Sequence, residues 1–407
     1  MPDWKRTDVT HQLEAVMISQ TNFSENLGLL EGVVWEQSTL EAAYYTDLRT
    51  SGKLRVCGEG WRRGSFIRIV HNIPEFGYRK TLGTYIVTDD SAEYKNGKWF
   101  YDLTLQSTLA MLSEDRFVKP YPIDKGTKAV DAMKAVLQNS GAHSMRTAFG
   151  NFSGAEAKSQ VAIDDSLADD VRATKAQVLE AGKSRLEAFF ALSSMSNNRI
   201  DVTPEGYISV TRYTPPANKS ATWTFDLRED RGTVVNGSLS RSSDWLSIPD
   251  TVAVRHDYST DEKTGETYKK SGTRADGTTY KAGDPKIETT QHSIYAYAKT
   301  PNGPHSIAQR GYSVVDFQQV SSISPHTLKA ASDYAVKALK SKVELVEWEL
   351  DTTYLPLWEG DVVNLVVVDG YTDYRGTRKC LVKNVDIDLG TMMMSVTLKE
   401  TASGDEE

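Results

Sequence analysis

Cysteine is almost missing from this 407-residue chain: there are two, Cys57 and Cys380, far apart in sequence. No disulfide framework can be the source of stability, and folding in a reducing cytoplasm is expected. Both cysteines sit in strand-like sequence, so buried, inert thiols are expected. Long apolar runs are missing too. The longest, Val362–Val368, is interrupted at Asn364, far short of the ~18–20 apolar residues that cross a bilayer as a helix. The opening Met1-Pro2-Asp3-Trp4-Lys5-Arg6 has no apolar core of the signal-peptide kind, so no membrane anchor is expected. Nor is there an excess of positive charge: 47 Lys and Arg stand against 55 Asp and Glu, a net of −8. Non-specific nucleic-acid binders need the reverse, because their affinity comes from neutralising phosphates.

Recognisable catalytic motifs are lacking as well. Gly182-Lys183-Ser184 has the end of a phosphate-binding loop, but the motif needs a glycine five residues before Gly182, and Gln177 stands there. A helix start is the plainer reading. Gly58, Gly60 and Gly64 are followed by a strand pattern where a dinucleotide site needs a helix, and so read as a turn. The histidines at 11, 71, 143, 256, 292, 305 and 326 show no i, i+4 pair, and neither cysteine has a nearby Cys or His. The carboxylate pairs Asp89-Asp90, Asp164-Asp165 and Asp169-Asp170 point their side chains apart on a strand or a helix, and read as solvated faces or caps. No Gly-x-Ser-x-Gly elbow is present. The sequence therefore names no catalytic, cofactor-binding or metal-ligating residue, although catalytic groups can converge from distant segments.

What is present is β-rich. The 39% hydrophobic and 25% charged fractions are those of a globular protein, and the length exceeds one comfortable core, so two to four domains are expected. Nineteen tyrosines and eight tryptophans favour strands. Phe66–Val70 and Tyr85–Val87 are apolar pieces between turn residues. Asn96-Gly97 signals a hairpin, followed by Trp99, Tyr101, Leu103 and Leu105 alternating with Phe100, Asp102 and Thr104. The middle changes period. A helix is expected from the cap Thr127 through Val130, Met133, Val136 and Leu137, then a polar loop over 147–170 and a helix near Asp170–Glu180. Another helix runs from Ser184 with Leu186, Phe189, Phe190 and Leu192, and a hairpin follows around Pro204-Glu205-Gly206.

The last third returns to strands at Val252 and Val254. A polar excursion over 259–290 holds an imperfect repeat, Thr264–Lys269 against Asp276–Lys281, and reads as a β-arm or a mobile loop. Ser324-Pro325 starts a helix that reaches about Lys342. Val346, Trp348 and Leu350 alternate, as do Val385, Ile387 and Leu389 before Gly390-Thr391, and Met394, Val396 and Leu398 after it.

The order of these elements, with Ser306–Tyr312 and the run Thr353-Tyr354-Leu355-Pro356-Leu357-Trp358-Glu359-Gly360-Asp361-Val362-Val363 followed by Cys380–Val385, resembles the hub proteins at the distal end of bacteriophage tails and in contractile injection systems. The resemblance implies a mainly β fold with an α+β insertion: a tube-like β-barrel over 1–115, an α/β module over 116–228, and a second barrel over 229–400. The second barrel would carry the arm 259–290 and the helix 324–342, with a disordered tail at 401–407. It further implies a non-enzymatic homotrimer whose six barrels make a pseudo-sixfold ring. That ring would join the tail tube or distal tail protein to a threefold tip fibre or spike, with the tape measure protein nearby and DNA only in transit. Its place would be the virion tail tip, after synthesis in the host cytoplasm. Unlike in fused members of that family, no appended lysozyme, peptidase or long fibre domain is expected, and no cell-wall-degrading role with it. Two other classes compete: a carbohydrate-binding receptor protein that stacks sugars on Tyr and Trp, and a tail-associated cell-wall hydrolase.

Overall fold

The computed structural model describes the chain apart from residues 1, 2, 5, 7, 20–22, 119, 125, 138–160, 164–176, 196, 197, 228–233, 236, 237, 243–247, 274–278, 301–305, 321, 322, 324, 341–345, 368–375 and 402–407. It is mainly β, in several sheets with a few helices. Two compact units are present, Met1–Ser240 with Trp348–Lys399, and Arg241–Glu347 with the end of the chain.

The first unit is organised on one long sheet. Its strands run in the order Asn26–Leu29, Gln12–Ile18, Phe66–Ile73, Tyr78–Lys95, Lys98–Ser107, Thr50–Cys57, Val33–Ala43, Gly376–Asp388 and Met393–Glu400, with Glu347–Thr353 beyond. The Asn96-Gly97 hairpin forms as expected: both residues take positive φ, 51° and 79°, which matches the right-handed twist of the flanking strands. Gly376–Asp388 is the seam between the two ends of the chain. Its later half pairs antiparallel with Val33–Ala43, and its earlier half pairs antiparallel with Val362–Val367. Val362–Val367 in turn pairs parallel with Trp223–Asp226. The alternations expected around the final hairpin are all realised as burial: Trp348, Leu350, Val385, Ile387, Leu389, Met394, Val396 and Leu398 are buried. Gly390 in that hairpin allows a close approach, since a Cβ there would lie 2.5 Å from the Glu36 Cα.

Within the same unit, the helices Leu109–Glu114, Ala129–Leu137 and Arg185–Met195 share a core with the hairpin Asn198–Val202/Ile208–Arg212 through Leu112, Met133, Phe189 and Val210. Ser184 and Glu187 form a reciprocal cap on the third helix: the Glu187 N–H donates to Ser184 Oγ (3.1 Å) and the Ser184 N–H to Glu187 Oε2 (2.8 Å). Two expectations need correction. Gln177–Leu179 is a strand paired with Tyr121–Ile123, where a helix near 170–180 was expected, and 170–176 lies outside the described residues. Three residues of pairing with the Tyr121–Ile123 edge outweigh a local pattern too short to nucleate a helix. Within the expected loop 147–170, Val161–Ile163 is a strand parallel to Ile208–Arg212.

The second unit centres on Thr251–Thr267, flanked antiparallel by Pro285–Lys299 and parallel by Val315–Val320. One face is covered by the helix Leu328–Lys340, which sets Ala331 and Ala335 against Val252, Val254, Ala296 and Ala298. That helix starts later than Ser324-Pro325 suggests: Thr327 Oγ1 accepts the Ala330 N–H at 3.2 Å, so the cap lies beyond the proline. The polar excursion is a paired β-arm. Thr251–Thr267 and Pro285–Lys299 stay in register as far as Lys263 and Ile287, shift register, and pair again at Thr267 and Pro285; Gly272–Thr273 pairs with Thr279–Tyr280, and the Tyr268 and Tyr280 rings stack at 3.7 Å. The Asp276-Gly277 turn signal lies outside the described residues.

Candidate functional site

The most site-like place in the first unit is built on the turn Trp358-Glu359-Gly360-Asp361, the segment that leads into the strand Val362–Val367. Its geometry is fixed locally: the Trp358 N–H donates to Asp361 Oδ2 at 2.8 Å, and Gly360 takes φ 85°. A Cβ at Gly360 would be strained by that φ, and would lie 3.2 Å from both Arg199 Nη2 and the Tyr44 ring. The glycine therefore lets a guanidinium and an aromatic ring close over the turn.

Four ionisable side chains converge there from three distant segments. The Arg199 guanidinium lies over the Tyr44 ring at 3.8 Å, donates through Nε to Asp201 Oδ2 at 2.5 Å, and stands 3.5 Å from Glu359 Oε1. Arg49 donates Nε to the Ile200 carbonyl at 3.1 Å and Nη1 to the Tyr44 carbonyl, with Asp201 Oδ1 at 3.6 Å. The Glu359 side chain is 5% exposed, and among the described residues its Oε2 has no hydrogen-bond partner. Burial pushes the Glu359 carboxyl up to about 8; Asp201 acts in the same direction, while Arg199 and Arg49 oppose it. Burial likewise lowers the Arg49 guanidinium and raises the Tyr44 phenol to about 12. A cavity of about 390 Å³ opens beside the cluster, lined by Tyr44, Arg49, Phe190, Arg199 and Tyr213 among others. Ser193, also in its lining, donates its hydroxyl to the Asn198 carbonyl at 2.7 Å. The arrangement clamps a loop, a strand and a turn together through the two arginines.

The five described histidines, scattered in sequence, fall into one group in each unit. His11 and His71 stack and approach to 2.9 Å between ring nitrogens. Burial, helped by His11, lowers His71 to about 3, so the ring is neutral, and it packs against Tyr354, whose hydroxyl meets that of Tyr78 at 2.8 Å. In the second unit His256 is buried, with Nδ1 2.9 Å from the Val320 carbonyl and Nε2 2.9 Å from His326 Nδ1. Tyr258 stacks on His326 at 4.4 Å and on His292 at 5.0 Å, and His292 Nε2 meets Thr260 Oγ1 at 2.8 Å. His143 and His305 lie outside the described residues. Among the described residues no three His, Cys, Asp or Glu side chains are grouped to hold a metal ion.

The remaining sequence candidates are structural in place. Lys183 pairs with Glu187 at 3.2 Å and Ser184 caps its helix, so Gly182-Lys183-Ser184 is a helix start. Gly58, Gly60 and Gly64 take positive φ in the turn between Thr50–Cys57 and Phe66–Ile73. Asp89 and Asp90 lie in the strand Tyr78–Lys95, with Asp90 paired to Arg63; the other two Asp pairs are outside the described residues. Cys380 is buried as expected, whereas Cys57 is only half-buried, because it ends its strand at that glycine turn.

No protein-family model matches the chain, and no curated protein matches it in sequence. Its fold does match solved structures over nearly its whole length. The tail protein from Neisseria meningitidis MC58 superposes with a TM-score of 0.58 at 12% identity, over 96% of this chain and 96% of that one. The 43 kDa tail protein of prophage MuSo2 from Shewanella oneidensis gives 0.55 at 10% identity, over 95% and 98%. Prophage tail protein gp18 from Listeria monocytogenes EGD-e gives 0.50 at 10% identity, over 96% and 95%. At these identities the likeness is one of fold.

Proposed function

We propose that this chain is a structural subunit of a phage or phage-like tail, acting as the hub at the tail tip. The observation that carries this reading is the match of fold to three tail proteins, end to end in both directions of coverage. In this reading the chain has three parts, 1–115, 116–228 and 229–400, and the first and last form two similar tube-like barrels. Three copies then present six barrels as a pseudo-sixfold ring to the tail tube or distal tail protein. The remaining threefold character receives a fibre or spike. The tape measure protein is a further neighbour, and DNA crosses the ring without lodging in it. The net charge of −8 supports that last point, since phosphate and protein then repel. The charged cluster at Glu359 is read as a clamp, and no catalytic role is proposed for it.

Negative-stain electron microscopy of the purified protein tests the reading. Rings of threefold or pseudo-sixfold symmetry with a central hole are expected. Compact single-chain particles that also stay out of assembled tails would sink it. A second reading, a carbohydrate-binding tail protein, draws on Tyr94 and Trp99, which are 61% and 50% exposed beside the Asn96-Gly97 turn with ring centres 5.2 Å apart. Binding on a glycan array, abolished by Trp99→Ala, would favour it.

A further inference from the structure

The three-stranded sheet of the second unit has its large side chains on the wrong side for a free-standing domain. Under the helix Leu328–Lys340 the buried set is mostly small: Ala296, Ala298, Ala331 and Ala335, with Val252, Val254 and Ile323. On the opposite face the pairing register aligns Tyr297, Ala253 and Phe317 in one row, and Tyr295, Arg255 and Gln319 in the row beside it. Tyr295 is 62% exposed, Tyr297 67%, Phe317 60% and the neighbouring Val315 55%. An aromatic side chain can bury ~150–250 Å². Three of them, more than half bare, leave roughly 300–450 Å² open, the size of the largest apolar patch on a typical monomer.

The surrounding polar groups hold this face in one shape. Arg255 lies 5.9 Å over the Tyr295 ring and Lys299 5.5 Å over the Tyr297 ring. Asp257 accepts from Arg255 at 2.9 Å, from Ser293 Oγ at 2.5 Å and from Gln319 Nε2 at 2.6 Å. Hydrogen bonds hold Asp257 below the usual carboxylate range, first from Ser293 and then from Arg255 and Gln319. An aromatic centre with an arginine and a fixed polar margin is the anatomy of a protein interface, with little side-chain freedom left to lose on docking.

We propose that this face, centred on Tyr295, Tyr297 and Phe317, is where a second copy of the chain docks. Two observations favour that occupant. With the flanking positions the face carries Arg255 and Lys299 against Asp257, a mildly basic exception on a chain of net charge −8, and the net-acidic remainder of another copy complements it. The patch is also about half of the ~800 Å² per partner that a standard interface buries. It can therefore be the apolar centre of a contact whose margin comes from the next copy. A basic aromatic face that meets a different, acidic surface is a heterologous contact, and such contacts close into rings when the rotation permits. The inference rests on the ring reading of the function in that one respect.

The test is sedimentation of the full chain over a concentration series at low and physiological salt, comparing wild type with Tyr297→Glu and Phe317→Glu. Leu27→Glu, at a position 60% exposed, serves as a surface control in the other unit. The wild type is expected to associate, with association weakened by about tenfold or more in the two sheet variants and unchanged in the control. A photo-crosslinking residue at Tyr297 should give chain-to-chain products. Rings or oligomers that persist in both sheet variants would overturn this face while leaving the hub reading intact. Crosslinks from Tyr297 to another tail protein and never to a second copy would overturn the choice of occupant. A wild type that stays monomeric throughout and gives no crosslinked dimer would remove both the face and the homomeric ring.

Discussion

The two units invert each other. In the first, the bulkiest side chains are fully buried, among them Trp348, Tyr85, Phe23, Phe117, Phe189 and Phe225, and the strand Phe66–Ile73 is buried on both faces over most of its length. In the second, alanines line the inside while Tyr295, Tyr297 and Phe317 stand outside, and Val315–Val320 has no buried residue along it. Apolar burial scales with the area removed from water, at roughly 25 cal/mol per Å². The first unit thus draws its stability from its own core. The second draws more on polar anchors and keeps its large apolar groups for something else. The small residues also let the helix lie close on the sheet.

The sharpest test of that contrast is Trp348→Ala. Trp348 is 1% exposed in the first unit, and its loss should cost about 3–5 kcal/mol, read as a fall in the urea midpoint by circular dichroism. A cost near zero would show that the first unit does not depend on its aromatic core. The corresponding anchor in the second unit is polar. Asp250 accepts hydrogen bonds from Thr251 Oγ1 at 2.8 Å, from Ser313 Oγ at 3.0 Å and from the Val314 N–H. Burial alone would raise the carboxyl, but these hydrogen bonds hold it below the usual range. The folded state therefore holds fewer protons than the unfolded one at acid pH. Its stabilisation is present above the ordinary Asp range and lost as pH falls through the folded value. Asp250→Ala should cost about 2–3 kcal/mol at neutral pH and progressively less in acid, measured by hydrogen exchange of the strand amides 251–256. Equal losses at neutral and acid pH would refute the linkage.

The Glu359 cluster carries the opposite sign. With its carboxyl raised to about 8, the folded state keeps a proton that the unfolded state loses at the ordinary Glu range. Stability then falls as pH rises across that window, and Glu359→Gln should remove the fall. From about pH 5 to about pH 9 the variant should gain on wild type by on the order of 4 kcal/mol, read from paired urea melts. Parallel melts at both pH values would mean that Arg199 and Arg49 keep the carboxylate ionised.

These differences bear on what could be read from the chain alone. Local signals were legible: Asn96-Gly97, the helix start at Ser184 and the alternation around Gly390 appear where their residue types demand, and of the two readings open for 259–290 the paired arm is the one that forms. Pairings across long separations were not. Nothing in Gly376–Asp388 announces that its two halves belong to Val33–Ala43 and Val362–Val367, because an alternating strand specifies its buried face and not its neighbour. The histidine pairs, and the meeting of Arg49, Arg199, Asp201 and Glu359, depend on those pairings and were hidden with them. One clue was available: Glu359 stands beside a turn glycine among apolar residues, where a carboxylate needs partners once buried. The inversion itself was invisible, since Tyr295, Tyr297 and Phe317 alternate as core residues would.

The smallest expected effect is the one that discriminates best between an outward face and a hidden core. Phe317→Ser, on an open face, should change the stability of the isolated chain by no more than about 0.5 kcal/mol, whereas burying Phe317 would make the same change cost several times that. The measurement is a urea melt at concentrations low enough to suppress association, so that only intramolecular packing counts. Near-neutrality there, combined with weakened association at higher concentration, would mean that the ring contributes only between molecules. A loss above about 2 kcal/mol in the dilute chain would mean that Phe317 is covered from within. The second unit would then have a core like that of the first, and the contrast between them would collapse.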